Sequence, residues 1–328
     1  MDVINNKYSR DDKINKYFKN TNICFLDIET TGFSRTKNII YLVGVMYKAN
    51  DYWYVKQFFA NNFSEEKNLI IALANFLKPF DTIVTYNGDN FDISFLNYKF
   101  KKYNIEYSIY DIDSFDIYKT IKKENLFLNL DSLKLESVEE FVGINRIDTL
   151  SGKDCIASYY QYLNTKNENH KNLILQHNYE DLIYLPKVLK IFDIIEKEKT
   201  VSILLKDEDI DIIIETFKTK GDMLEITCYQ KNSDMDPIIF YGKNYNINWI
   251  PNNNHLSIEI EFKEGLLSTN ETCLYIDNKN NLHINNIEDE SKYNLPKHLI
   301  PIKIDKNFQI NNIKNLIRSI MESILENQ

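Results

Sequence analysis

Two carboxylates stand two residues apart at the end of an apolar run, where Ile23-Cys24-Phe25-Leu26 leads straight into Asp27-Ile28-Glu29-Thr30-Thr31-Gly32. On a strand, residues i and i+2 project from the same face. The run before them is apolar enough to be buried on both faces, and a buried carboxylate is costly without a compensating charge. A hard divalent cation held by oxygen ligands suits such a pair. The plain alternative is two solvated acids at a strand end.

Two further acidic sites follow. In Tyr86-Asn87-Gly88-Asp89-Asn90-Phe91-Asp92, the glycine and asparagines make a tight strand-to-helix turn, which places Asp92 in the first turn of the next helix. An acid there would also suit the helix dipole without any metal. In His177-Asn178-Tyr179-Glu180-Asp181, the histidine and Asp181 are four apart, so on a helix they share a face and can act on one point. Glu180 faces another way and is expected in solvent. Asn178 and Tyr179 are candidates for substrate contact by proximity alone. Pro186 must kink or restart this helix.

The elements that would carry these residues are readable in outline. Residues 38–46 and 51–59 are β-rich runs expected as antiparallel neighbours of the first strand. Ser64-Glu65-Glu66 opens a helix with Ser64 as its cap, and Leu69, Ile70, Leu73, Phe76 and Leu77 form its apolar face. Then come a strand over 81–86, a helix with Asp92 in its first turn running through about Lys102, a short fifth strand over 107–112, and helices from 114 to about 197. This order predicts an α/β fold, a mixed five-stranded sheet with helices on its faces. From 199 onward, short strands at 201–205, 223–229, 237–241, 256–262 and 274–277 precede an amphipathic helix over 308–326, which reads as a separate α+β domain. The expected division is a polar tail over 1–20, a first domain over 21–198 and a second over 199–328.

Composition narrows the class. Of 328 residues, 43% are hydrophobic and 27% charged, which suits a folded chain and argues against wholesale disorder. The four cysteines (Cys24, Cys155, Cys228, Cys273) have no paired or zinc-ligand spacing and read as reduced thiols. No apolar stretch is long enough to span a bilayer, so the expectation is a cytoplasmic protein without a membrane partner. Residues 201–328 hold 13 Lys+Arg and 20 Asp+Glu, a net −7 of the total −9, leaving −2 for the first 200. Such acidity in the second domain weakens any role in gripping phosphate and favours a protein partner or intramolecular docking there. His255, His283 and His298 share no ligand spacing. With 22 Tyr, 19 Phe and 2 Trp, base-stacking platforms are available, Phe33 and Phe91 being best placed beside the acidic motifs.

Taken in order (an Asp-x-Glu pair on strand one, an Asp after strand four, a His/Asp pair on a late helix), the three sites resemble the DEDD, or DnaQ-like, superfamily of 3′–5′ exonucleases on a ribonuclease H-like fold. The YprB-type branch is the closer likeness. It is carried by Phe25–Phe33, Ile39–Tyr47, Tyr86–Leu96 and His177–Asp181, with Leu130–Leu163 similar to that branch's linking helices. The resemblance covers roughly residues 20–197. It implies a hydrolase in which Asp27, Glu29, Asp92 and Asp181 hold two Mg²⁺ or Mn²⁺ ions. His177 would be the general base, and Thr30, Phe33, Asn87 and Phe91 would contact a single-stranded nucleic-acid 3′ end. His177 departs from the histidine class, whose base stands five residues before the last Asp; it takes the tyrosine-class position, four before. A ribonuclease H-type endonuclease and a catalytically silent binding module remain open.

Overall fold

The acid-bearing run lies at the heart of a sheet. The computed structural model describes the chain except for residues 10–12, 20, 147–149, 206–207, 232–236, 251–253, 283, 285–286, 288, 292, 294 and 326–328, so His283 lies outside the described residues. The chain divides into two compact units, one of Met1–Asn125 and Asn129–Asp193, the other of Leu126–Leu128 and Ile194–Gln328.

The first unit has strands β1 (Asp2–Ser9), β2 (Ile23–Thr30), β3 (Ile40–Ala49), β4 (Tyr52–Phe59), β5 (Thr82–Thr85) and β6 (Asp113–Asp116). Its helices are α1 (Glu66–Leu77), α2 (Asp92–Lys102), α3 (Ile117–Leu128), α4 (Leu135–Phe141), α5 (Gly152–Thr165) and α6 (Glu168–Val188), and α7 (Lys190–Lys199) follows. The sheet order is β1-β4-β3-β2-β5-β6. β2 is antiparallel to β3 and parallel to β5, so the sheet is mixed, and Cys24, Phe25 and Leu26 are buried on both of its faces. β3 returns as β4 through Asn50 and Asp51, both at positive φ (47° and 64°), the backbone a two-residue hairpin of matching twist requires. Of β3 and β4, only β3 therefore neighbours β2; β4 lies one strand further out.

Several expectations need correction. Residues 2–9 are not a tail but an edge strand antiparallel to β4, which makes the sheet six-stranded rather than five-stranded. Its polar sequence hid it, because an edge strand needs no apolar run and is safer without one. It is tied down by the Met1 amino group on Glu65 at 2.5 Å and by Asn61 donating to Asp2 at 3.0 Å. The last strand is Asp113–Asp116, not 107–112, where Ile109–Asp111 forms a single 3₁₀ turn. Asn62 rather than Ser64 caps the entry to α1, its side chain accepting from the Ser64 N–H at 3.0 Å. Pro186 sits in the last turn of α6, and the chain restarts as α7 at Lys190.

In its described residues the second unit has two antiparallel sheets. β7 (Thr200–Leu205), β8 (Glu208–Lys220), β9 (Met223–Lys231), β10 (Ile238–Tyr241), β11 (Tyr245–Ile250) and β12 (His255–Glu261) run in the order β10-β11-β12-β9-β8-β7. β13 (Lys263–Leu266), β14 (Thr272–Asp277), β15 (Leu299–Ile304) and β16 (Asn307–Phe308) form the second sheet, before α8 (Ile310–Leu325). β12 alternates as half-buried strands do, with Leu256, Ile258 and Ile260 inside. α8 buries Ile313, Leu316, Ile317, Ile320 and Met321, one helical stripe. The strands β8, β11, β13, β15 and the two-residue β16 are additions to the sequence reading of this α+β unit.

Candidate active site

Asp27 and Glu29 emerge from the same face of β2, with Ile28 between them turned into the core. Asp27 pairs with Gly44 across the β2–β3 ladder. Glu29, 8% exposed, accepts from the buried Tyr41 hydroxyl at 3.3 Å. That ring is fixed by stacking on Tyr159 of α5 at 4.0 Å between centroids. α6 crosses above and delivers His177 and Asp181 one helical turn apart. His177 Nε2 lies 3.6 Å from Glu29 Oε1 and 3.6 Å from Asp181 Oδ2. One carboxylate oxygen each from Asp27, Glu29 and Asp181 lies within 4.8 Å of the others.

Asp92 reaches the cluster by a different route. β5 ends at Thr85, and Asn87 turns the chain at φ 60°. Gly88 lies so close to Thr85 that an added Cβ would stand 2.4 Å from the threonine Cβ and hydroxyl, which is why the turn carries glycine. The buried Asp116 carboxylate holds the turn, accepting from the N–H groups of Asn87 at 2.8 Å and Asp89 at 3.2 Å, and from Tyr118 at 3.0 Å as cap of α3. Asp92 then opens α2 and accepts from the Ile28 N–H at 3.0 Å, on the stretch of β2 beyond the end of β5. It therefore flanks the strand between Asp27 and Glu29. It is not in the group of three oxygens within 4.8 Å.

The charges strain against one another. Burial, followed by the negative charges of Asp181, Asp92 and Glu29, pushes the Asp27 carboxyl well above the usual range. Burial raises Glu29 to about 7, with His177 opposing and Asp181 adding. Burial likewise raises Asp92 to about 7, although the N–H groups of Asp92 and Ile28 favour its charged form. Four acids in mutual electrostatic reach, offering hard oxygen donors with a surplus of negative charge, fit one or more divalent cations. A partial counter-charge is built in. The Arg146 guanidinium pairs through Nη2 with Asp181 and through Nε with the buried Glu139 at 2.5 Å.

The other sequence candidates sit around this centre. Phe33 is 89% exposed, its ring 6.2 Å from and edge-on to Phe91. Thr30 is buried, and its hydroxyl donates to the Gly32 carbonyl at 2.9 Å, closing the turn after β2. Asn87 accepts from the Asn90 side chain at 2.9 Å and borders a cavity of ≈ 480 Å³ that also touches Asp27, Tyr86, Tyr118, Lys134 and Asp181. Two expectations fail. Glu180 is 4% exposed and accepts from Gln176 at 2.7 Å, so it is not solvated. Asn178 is fully buried and cannot touch substrate. Sequence reasoning missed Tyr41, Gly44, Gln57, Asp116, Tyr118, Lys134, Glu139 and Arg146. Only Asp116, a buried acid ahead of a helix, left a local signal.

A family described as the RNase_H superfamily (RNase_H_2) matches residues 24–192. The chain belongs to the RNase H superfamily. All four acids and His177 lie inside the matched span. No curated protein matches the sequence. Among solved structures, the chain is similar to the family B DNA polymerase of Pyrobaculum calidifontis at 15% identity, covering 52% of this chain and 24% of that one with a TM-score of 0.41. It is also similar to E. coli exonuclease I in complex with a dA16 oligonucleotide, at 11% identity, 64% and 55% coverage, and a TM-score of 0.31. The chain thus spans less than two thirds of the length of either. Among the described residues of this RNase H superfamily member, no helix is long and apolar enough to cross a membrane.

Proposed function

We propose that the protein is a divalent-metal-dependent 3′–5′ exonuclease of the DEDD type, related to the YprB branch, that hydrolyses phosphodiester bonds of DNA or RNA. One observation carries the reading: oxygens of Asp27, Glu29 and Asp181 lie within 4.8 Å of one another, with His177 Nε2 at 3.6 Å from two of these residues. Asp27, Glu29, Asp92 and Asp181 would hold Mg²⁺ or Mn²⁺, most simply two ions. When bound, such ions neutralise charge building on the phosphate and lower the pKa of water.

The chain's own residues supply the rest. His177 Nε2, 3.6 Å from Asp181 Oδ2, would accept the proton of the attacking water, whose oxygen adds to phosphorus as the 3′ oxygen leaves. Phe33, exposed beside Phe91, offers a face on which a terminal base can stack. Lys134, on the cavity wall with Asp27 and Asp181, can meet a phosphate. All four cysteines are buried and none is in a disulfide, which suits a reducing, cytoplasmic setting.

The pairing of Arg146 with Asp181 favours one second reading, a domain that binds nucleic acid without cutting it, because a guanidinium already neutralises one proposed ligand. Oligonucleotides labelled at the 5′ or the 3′ end, incubated with Mn²⁺ beside an Asp27→Ala control, separate the readings. Stepwise shortening from the 3′ end that the control lacks is the expected result. Internal cuts would indicate an endonuclease, and no metal-dependent cleavage would leave the binding module.

A further inference from the structure

Asp27 is gripped from behind. Asn178 Nδ2 on α6 donates to Asp27 Oδ2 at 2.7 Å. Asn178 Oδ1 in turn accepts from Gln57 Nε2 on β4 at 2.8 Å, and the same Gln57 nitrogen donates to the Leu175 carbonyl at 2.8 Å. Asn178 is 0% and Gln57 1% exposed. Buried amides are tolerated only when paired, and here each is paired to the next.

The sequence leaves room for this chain of bonds. Gly44 faces Asp27 across the β2–β3 ladder, and a Cβ there would come within 2.2 Å of Asn178 Oδ1. The space where a side chain would stand is filled by the Asn178 amide, with a Leu182 methyl 2.5 Å from the same point.

The polarity of the chain is fixed at its far end. A backbone carbonyl can only accept, so Gln57 must turn its NH₂ toward Leu175. The second hydrogen of that NH₂ meets Asn178 Oδ1, which leaves the Asn178 NH₂ for Asp27. Flipping either amide would set acceptor against acceptor. One oxygen of Asp27 therefore has a buried donor that it cannot exchange for water.

We propose that Asn178 and Gln57 are positioning residues that hold the Asp27 carboxylate in the orientation needed to share a divalent cation with Glu29 and Asp181. Gly44 supplies the space for them. The inference rests on the reading of Asp27 as a metal ligand. Repulsion from Glu29, Asp92 and Asp181 would otherwise turn the carboxylate outward. Groups that orient ligands in this way are commonly worth about 10–100-fold in metal affinity.

The test is calorimetric titration of the full chain with Mn²⁺ at pH 8, comparing wild type, Asp27→Ala, Asn178→Ala, Gln57→Ala, the Gln57→Ala/Asn178→Ala pair and Gln57→Glu. Asn178→Ala is expected to weaken Mn²⁺ binding about tenfold or more. Gln57→Ala should weaken it less, and the double variant no more than Asn178→Ala, because Gln57 reaches Asp27 only through Asn178. Gln57→Glu keeps the shape but removes the donor, so it should harm binding at least as much as Gln57→Ala; a packing role gives the opposite order. Unchanged Mn²⁺ affinity in a cooperatively folding Asn178→Ala protein, with Asp27→Ala defective, overturns the inference and spares the nuclease reading. Additive losses from the two alanine variants overturn it as well. A wild-type chain that takes up no Mn²⁺ overturns both.

Discussion

The side chains that define the cluster are the ones that destabilise the fold. Glu29 and Asp92 titrate near 7 in the folded chain, against ordinary values of 4.5 and 3.8. Between those limits the folded state binds more protons than the unfolded state, so stability must fall as pH rises. In EDTA, the urea midpoint is expected to be highest near pH 5 and to decline toward pH 8, by an amount on the order of a few kcal/mol in unfolding free energy. Mn²⁺ should reverse the trend by favouring the ionised carboxylates. Stability that rose with pH in EDTA would mean that the acids are not crowded. At this scale the sequence was most legible where a residue's chemistry is unusual for its place: two acids ending an apolar strand, and a His/Asp pair at helical spacing. Tyr41, Gln57 and Arg146 carried no such mark. Their roles come from contacts with residues 12, 121 and 35 positions away, which no local pattern encodes.

The elements behave as brackets for these residues, and the turn between β5 and α2 is the tightest. Gly88→Ala would force a Cβ to within 2.4 Å of Thr85 and move the start of α2, where Asp92 sits. The expected cost is about 1–3 kcal/mol in urea unfolding, as for other overpacked sites, with a fall in Mn²⁺ affinity beyond what Leu73→Val in α1 produces at similar cost. Equal effects of the two variants on the metal would show that the turn does not position Asp92. α2 was readable in place and extent, because a glycine–asparagine turn, a first-turn acid and an amphipathic run all agree. β1 and β6 were not. Both are edge strands of mainly polar sequence, held by pairing to β4 and β5 rather than by an apolar face of their own. In the second unit, β8 escaped notice although Ile210, Ile212, Ile213 and Ile214 are buried, because its register shifts between Ile214 and Thr216 and breaks the alternation.

For the whole molecule, a net charge of −9 sets the terms on which a polyanion could bind. With the acid cluster uncompensated, a nucleic-acid end approaches like charge. Fluorescence anisotropy with a single-stranded oligonucleotide should show affinity at least about tenfold higher in Ca²⁺ than in EDTA, with the gain lost in Asp27→Ala. Binding indifferent to the divalent cation would place the contact elsewhere on the chain. The acidity of residues 201–328, net −7, gives the second unit no evident grip on phosphate, and its fold alone assigns it no chemistry. The most direct measurement is anomalous scattering from a crystal soaked in Mn²⁺ with a nucleoside monophosphate. Peaks bounded by Asp27, Glu29 and Asp181, with Asp92 on their flank and the phosphate against them, are the expected result. Full soaking with no peak among these carboxylates would contradict the metal-dependent nuclease.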